Sequence, residues 1–455
     1  MTVLRQDLEA PAADRHFGSG WISGVLALTF AVLGLGTVLC LSFPDLLTVA
    51  DARTMYNVGL IRLALHVVLI AGFFLGTVSV VLRKQKALGF TALTLILIAT
   101  LLGGSRATSQ VDLRSDVYLG LDWFLLNLTF TGIVFIPIER FFGRREQPIF
   151  RYEWREDLLY FLISSLFVQV LAFLSMAPAL AILHHTGWAG DLRGLVARQP
   201  VVLQFVEIMF LTDLVQYWVH RTFHRVPFLW KFHAVHHSAQ QLDWLAGSRM
   251  HLLEIVVLRG STVIPMYVLG FSEPALYAYL FFVYLFSTLV HANLRLKFGF
   301  LQYWFVTPRF HHWHHGIEKE AIDVNFAVHF PLLDRLFGTY YLPADGSWPR
   351  GYGIENHPVP KGFLRQLLYP FVREKVFAAG GMAISLAAGL LYARMAHGGW
   401  SPILIGGAVA GGVCALLGII PSVALGDTAA SILLIGTLGS TVAGAVGGAI
   451  GKLIG

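Results

Sequence analysis

The feature that most limits how this chain can fold is a series of long apolar runs: Trp21–Phe43, Val58–Leu82, Leu88–Leu102, Tyr118–Ile138, Leu158–Leu183 and Val201–Val219. Runs near twenty residues match the hydrocarbon thickness of a bilayer, where a continuous helix satisfies its own backbone. Further on, Leu252–Phe271 and Pro274–Val290 read as a helical hairpin that enters the membrane and returns. Composition agrees, with 56% hydrophobic and 13% charged residues and a mean hydropathy of +0.65. A soluble protein of this length needs a charged skin that this chain lacks. Cys40 and Cys414 both lie in apolar runs, which excludes a disulfide framework and a thiolate metal site. The polar segment up to Arg15 and the length of the first run do not have the shape of a cleavable signal peptide.

Basic residues give an orientation. Arg83, Lys84 and Lys86 follow the second run; Arg140, Arg144, Arg145, Arg151 and Arg155 follow the fourth; Arg221, Arg225 and Lys231 follow the sixth. The intervening loops, Asp45–Arg53 and Arg106–Asp116, are balanced by acids. The positive-inside rule then puts the N-terminus and the histidine-rich segments on the cytoplasmic side. The net charge of +6 is accounted for in this way, and no nucleic-acid partner is expected. Arg62 and His66, one turn apart in the second run, read as groups that face neighbouring helices or snorkel.

Histidine is concentrated between His220 and His315. The segments are His220-Arg-Thr-Phe-His224, His233-Ala-Val-His236-His237, a lone His291, and His311-His312-Trp-His314-His315. Steps of three and four place side chains on one helix face, and neutral imidazole is the commonest metal ligand. Packing gives no reason to gather so many costly polar rings at one membrane face. The pattern therefore predicts a metal site assembled from several helices. The candidates are too many for one ion, and two ions with open positions use them sensibly. Redox iron handling O2 suits such ligands, as zinc, copper or nickel also would. The Glu-x-x-His pattern of soluble di-iron proteins is missing between His220 and His315.

With these boxes in this order, the sequence resembles the fatty acid hydroxylase/sterol desaturase superfamily of membrane di-iron oxygenases. The resemblance extends to Pro137-Ile-Glu139-Arg140, Trp154-Arg-Glu-Asp157, Thr307-Pro308-Arg-Phe-His311, Asp323-Val-Asn325-Phe and Asp334-Arg-Leu-Phe-Gly338-Thr339, over roughly residues 115 to 350. It implies that His220, His224, His233, His236, His237, His291, His311, His314 and His315 bind two iron ions. Some members carry a further histidine one turn after the position of His291, where this chain has Arg295. His251 is a candidate replacement ligand, or a group behind the ligands. Asp213, Asp323 and Asn325 are candidates for orienting the imidazoles, with turn chemistry the competing reading for Asp323 and Asn325. His312 is set aside as a ligand, His329 is read as a core histidine, and Tyr217 and Trp313 as packing.

The fold expected is an all-α integral membrane protein, a multi-span helical bundle with a cytoplasmic histidine-rich di-metal cap. Its expected divisions are N-terminal membrane helices (1–112), a catalytic domain (113–375) and Gly/Ala-rich C-terminal membrane helices (376–455). Small-xxx-small patterns at Gly407–Gly411 and Gly444–Gly448 suit close helix packing in that tail. The resemblance implies O2-dependent hydroxylation of an unactivated C–H bond in a sterol-, carotenoid- or fatty-acyl-type lipid, with desaturation as the alternative outcome. No haem-binding or flavin fingerprint is present, so electrons are expected from a separate ferredoxin-, cytochrome- or flavin-reductase-type donor. A metal transporter would need ionisable residues along the midplane rather than at helix ends. A zinc hydrolase would need a general base such as the Glu of His-Glu-x-x-His, which is absent from this chain.

Overall fold

A computed structural model of the chain describes residues 3–108, 117–186, 190–356, 358–371, 374–396, 398–424 and 430–454. His397 and most of the Arg106–Asp116 loop, including the expected division at residue 112, lie outside the described residues. The described residues form helices and no strand, and they divide into two compact units, Met1–Pro358 and Val359–Gly455.

In the first unit, α1 (Trp21–Ser42), α2 (Val58–Leu82) and α3 (Ala87–Leu101) pack on one another. Their shared core uses Ala27 and Ala31 of α1, one turn apart, against Leu65, Leu69, Ala92 and Ile96. Small residues on one helix let the larger ones of its neighbours approach closely. Arg62 donates to the carbonyls of Ser105 (2.6 Å) and Ala107 (2.8 Å), and His66 lies 3.2 Å from the Ser105 hydroxyl. These two polar groups therefore close the end of α3 rather than form a site.

Then come α4 (Leu121–Phe142), α5 (Trp154–Leu166), α6 (Val168–Thr186), α7 (Val201–Arg225), α8 (Pro227–His237), α9 (Leu252–Val268), α10 (Glu273–His291) and the short α11 (Pro308–His314). Eight helices among the described residues are long and apolar enough to cross a membrane, including α1, α2, α4, α7 and α10. The run Leu158–Leu183 is not one straight span: α5 and α6 meet at Phe167 with a bend of 67°. The bend is held from outside. The Gly120 N–H donates to the Leu166 carbonyl at 3.1 Å, and the Tyr118 N–H donates to the Gln169 side chain at 3.0 Å. The Leu166 carbonyl at the break thus finds a partner, as the bilayer requires.

The segments expected as a hairpin form two consecutive helices, α9 ending at Val268 rather than Phe271 and α10 running from Glu273 to His291. Met266 of α9 shares a core with Ala275, Leu276 and Tyr279 of α10. The helix α7 packs on both.

The second unit contains α12 (Glu374–Met395), α13 (Trp400–Ala424) and α14 (Ala430–Ile454). The two small-residue patterns meet across α13 and α14. A Cβ on Gly444 would lie 2.3 Å from the Gly407 carbonyl oxygen, and one on Gly407 would lie 2.7 Å from that of Gly444. Only glycine allows backbones this close.

Candidate metal centre

Two X-Pro steps aim the histidine boxes at each other. Proline restricts the residue before it to extended backbone and is at home in the first turn of a helix. Val226 (φ −96°, ψ 113°) therefore ends α7, and Pro227 starts α8 at once in a new direction. Thr307 (φ −117°, ψ 163°) does the same before Pro308, and its hydroxyl accepts the Phe310 N–H to cap α11. His220 and His224 lie in the last turns of α7, His236 and His237 in the last turn of α8, and His291 ends α10. His311 and His314 lie in α11, with His315 directly after it.

The rings form two groups. His220, His224, His233, His237 and His314 make one; His236, His291, His311 and His315 make the other. Within each group, one nitrogen per ring falls within 4.8 Å of all the others. The closest Nε2 pairs are His220–His233 at 2.9 Å, His237–His314 at 3.0 Å and His291–His311 at 3.0 Å.

The outward nitrogens decide what the inward ones can do. His220 Nδ1 donates to the Phe326 carbonyl (2.9 Å), His236 to that of Arg249 (3.0 Å), His291 to that of Ser287 (2.7 Å) and His314 to that of Val324 (2.7 Å). His233 Nδ1 donates to Glu254 Oε1 at 2.5 Å, and His224 Nδ1 lies 3.3 Å from Asp323 Oδ1. A carbonyl or carboxylate only accepts, so these neutral rings carry their proton on Nδ1 and turn an Nε2 lone pair inward. Two such lone pairs face each other at His220–His233 (2.9 Å) and at His236–His291 (3.2 Å), where they cannot hydrogen-bond, and His224 Nε2 is buried without any hydrogen-bond partner. A cation in each group resolves both problems, so the residues fit metal.

Burial keeps the rings neutral. His233, His236, His237, His311, His314 and His315 are all held well below the usual 6.5, by burial first and then by the neighbouring rings. Neutral imidazole is the metal-binding form.

The remaining candidates take other places. Asp213 accepts the Val328 and Phe330 N–H groups, each at 2.7 Å, and so holds the loop whose Phe326 carbonyl takes His220. Asp334 supports the same loop through the Phe326 and Ala327 N–H groups (2.8 and 2.9 Å). Asp323 and Asn325 both have φ 60°, a left-handed conformation that Asp and Asn tolerate. Of the two, Asp323 also lies against an imidazole. Asp323 turns the chain and faces His224, while Asn325 donates to the carbonyls of Phe310 (3.0 Å) and Tyr341 (2.7 Å). His251 belongs to neither group; its Nδ1 caps α9 by accepting the Leu253 N–H. His312 is engaged by the Tyr352 hydroxyl (2.7 Å) and the His291 carbonyl (3.1 Å). His329 pairs with the Tyr279 hydroxyl at 3.1 Å in the apolar core. Tyr217 donates to or accepts from Thr339 at 2.8 Å, and Trp313 donates to the Ser347 carbonyl. Because α10 stops at His291, Arg295 is not one helical turn above it; its N–H donates to the Phe142 carbonyl at 2.9 Å.

Glu254 went unread in the sequence, although a carboxylate heading an apolar run is a signal. So did Arg249, which is fully buried and paired with Asp157 and with Glu153 (2.8 Å). Asp157 also pairs with Arg151, which reaches Asp243 at 2.6 Å. This buried network fixes the stretch whose Arg249 carbonyl orients His236. Gly247 completes the wall: a Cβ there would meet His291 Nδ1 at 2.9 Å.

Comparison with known proteins gives a consistent result. The fatty acid hydroxylase family profile matches residues 205–339, the stretch that supplies all the rings above. The chain is 27% identical over 301 residues to an ornithine lipid hydroxylase of Rhizobium tropici, covering 63% of this chain and 86% of that protein. It is 31% identical over 129 residues to the alkylglycerol monooxygenase of Homo sapiens, 28% of each chain. With that of Danio rerio it shares 27% identity over 179 residues, 39% of the relative's length. No solved structure matches.

Proposed function

We propose that the chain, which is similar over residues 205–339 to the fatty acid hydroxylase family and more widely to lipid hydroxylases, is a membrane di-iron oxygenase that hydroxylates an unactivated C–H bond of a bilayer lipid. The observation that carries this reading is the sorting of the box histidines into two buried groups with inward lone pairs. His220, His224, His233, His237 and His314 would hold one iron, and His236, His291, His311 and His315 the other. The lipid chemistry of the relatives supports the substrate class.

When bound, the metal pair supplies the O2 and C–H chemistry that side chains cannot. The balanced reaction takes R–H, O2, two electrons and two protons to R–OH and water, with electrons from a separate protein donor. The chain's own residues orient and exclude. Carbonyls of Phe326, Arg249, Ser287 and Val324 lock the tautomers. Glu254 keeps the proton of His233 on Nδ1 and strengthens its Nε2 as a donor to metal. Burial of the rings excludes water and keeps them unprotonated. The basic loops after the second, fourth and sixth apolar runs support a cytoplasmic site, within reach of a soluble donor.

The test is lipid profiling by mass spectrometry of cells with and without the gene, grown under 18O2. A lipid that gains one labelled oxygen only when the gene is intact is the expected result. His236→Ala should abolish that product and lower bound iron while leaving membrane insertion intact. Full activity in that variant removes the assignment, and an unlabelled product with a new double bond makes the enzyme a desaturase.

A further inference from the structure

We propose that a basic pocket beside α11 binds the anionic headgroup of a membrane lipid. The pocket has a volume of about 380 Å³, and Arg295, Lys297, Gln302, Thr307, Arg309 and Trp348 line it. It gathers three cations, and no carboxylate is among its lining residues. Asp345, between the lining residues Ala344 and Gly346, is exposed; it accepts the Ser347 N–H at 2.8 Å and offsets part of the Arg309 charge, which leaves a net positive wall. Arg144 adds a fourth cation behind the wall, its guanidinium 5.8 Å from the Trp348 ring. Like charges gathered in a concave wall focus field on whatever anion enters it.

The surroundings select a lipid over a soluble anion. The pocket opens just past His291, at the end of a helix apolar enough to span the membrane. The same short stretch exposes Phe300 (72%) and Trp304 (66%), with Leu301 and Tyr303 beside them. Aromatic and aliphatic side chains at the end of a spanning helix, interleaved with Arg and Lys, belong at the headgroup level of a bilayer. An anionic headgroup in the pocket would leave its acyl chains to run along these exposed residues. Arg309 and His311 stand two residues apart on α11, so the headgroup site and the metal centre share one rigid element. The proposal does not depend on the oxygenase reading, because it concerns binding alone.

The test is native mass spectrometry of the full-length protein released from nanodiscs that contain equal amounts of phosphatidylglycerol and phosphatidylcholine. Wild type should retain phosphatidylglycerol preferentially, and each of Arg295→Gln, Lys297→Gln and Arg309→Gln should reduce that preference about fivefold. The triple variant should show no preference while its metal content and elution volume stay at wild-type values. Retained preference in the folded triple variant overturns the site. Displacement of the lipid by millimolar glycerol phosphate would make the ligand a soluble phosphate and overturn the lipid assignment. So would a wild type with no lipid preference that instead loses cross-linking to an acidic ferredoxin on the same substitutions.

Discussion

Glu254 shows what one carboxylate does when it stands behind a ring instead of on the metal. Its Oε1 takes the His233 proton at 2.5 Å, and groups in this position commonly govern metal affinity by 10–100-fold. Burial pushes the Glu254 carboxyl up to about 8, so its charged form depends on the cation that His233 would hold; Glu254→Gln can turn only its amide oxygen to the His233 proton and supplies no charge. It is expected to weaken metal binding by about that factor, read by competition with a chelator, while the helical content is unchanged. Wild-type affinity in the variant would make Glu254 a mere packing group. The buried rings also set an acid limit. Rings such as His237 and His315 are held well below 6.5 in the folded chain, by burial first, whereas in the unfolded chain they titrate near 6.5. Their contribution to stability is therefore intact above about pH 6.5 and is lost as the pH falls towards the depressed values. The loss is up to about 1.4 kcal/mol per pH unit for each ring. The Tm of metal-stripped protein should fall steeply between pH 6.5 and 5, and a flat profile would mean that the rings are already wet. The ring positions were legible because steps of three and four in a helix leave a mark in sequence. Their anchors were not, since a carbonyl such as that of Phe326 or Val324 belongs to every residue and marks none.

At the scale of helices, the apolar runs located the bundle, and the departures have tertiary causes. The bend at Phe167 has no proline or glycine to announce it. It is fixed by residues 118–120, some fifty positions away. The end of α9 at Val268 was hidden because Leu269 and Phe271 continue the apolar pattern past it. The meeting of α13 and α14 was readable because small residues recur at the spacing of one turn. Gly444→Val would force a side chain into the Gly407 carbonyl, 2.3 Å from the position of its first atom. The variant is expected to lose about 1–3 kcal/mol, seen as earlier thermal unfolding of the tail. Unchanged unfolding would show that the two helices are not in register through these glycines.

The whole molecule combines a large unit that contains every ring of the candidate centre with a separate helical unit from Val359 onward. A chain ending at Pro358 should therefore insert, bind metal and show the spectroscopic signature of the full protein. Loss of metal on that truncation would mean that the tail is needed to build the centre. The ends of α7, α8, α10 and α11 carry one further consequence. Each finishes among the rings, and a helix presents roughly half a negative elementary charge at its carbonyl end. The ring groups thus lie beside several carbonyl-rich helix ends, where a positive charge is favoured. A cation held among these uncharged rings would draw part of its countercharge from peptide dipoles, which no proton can titrate away.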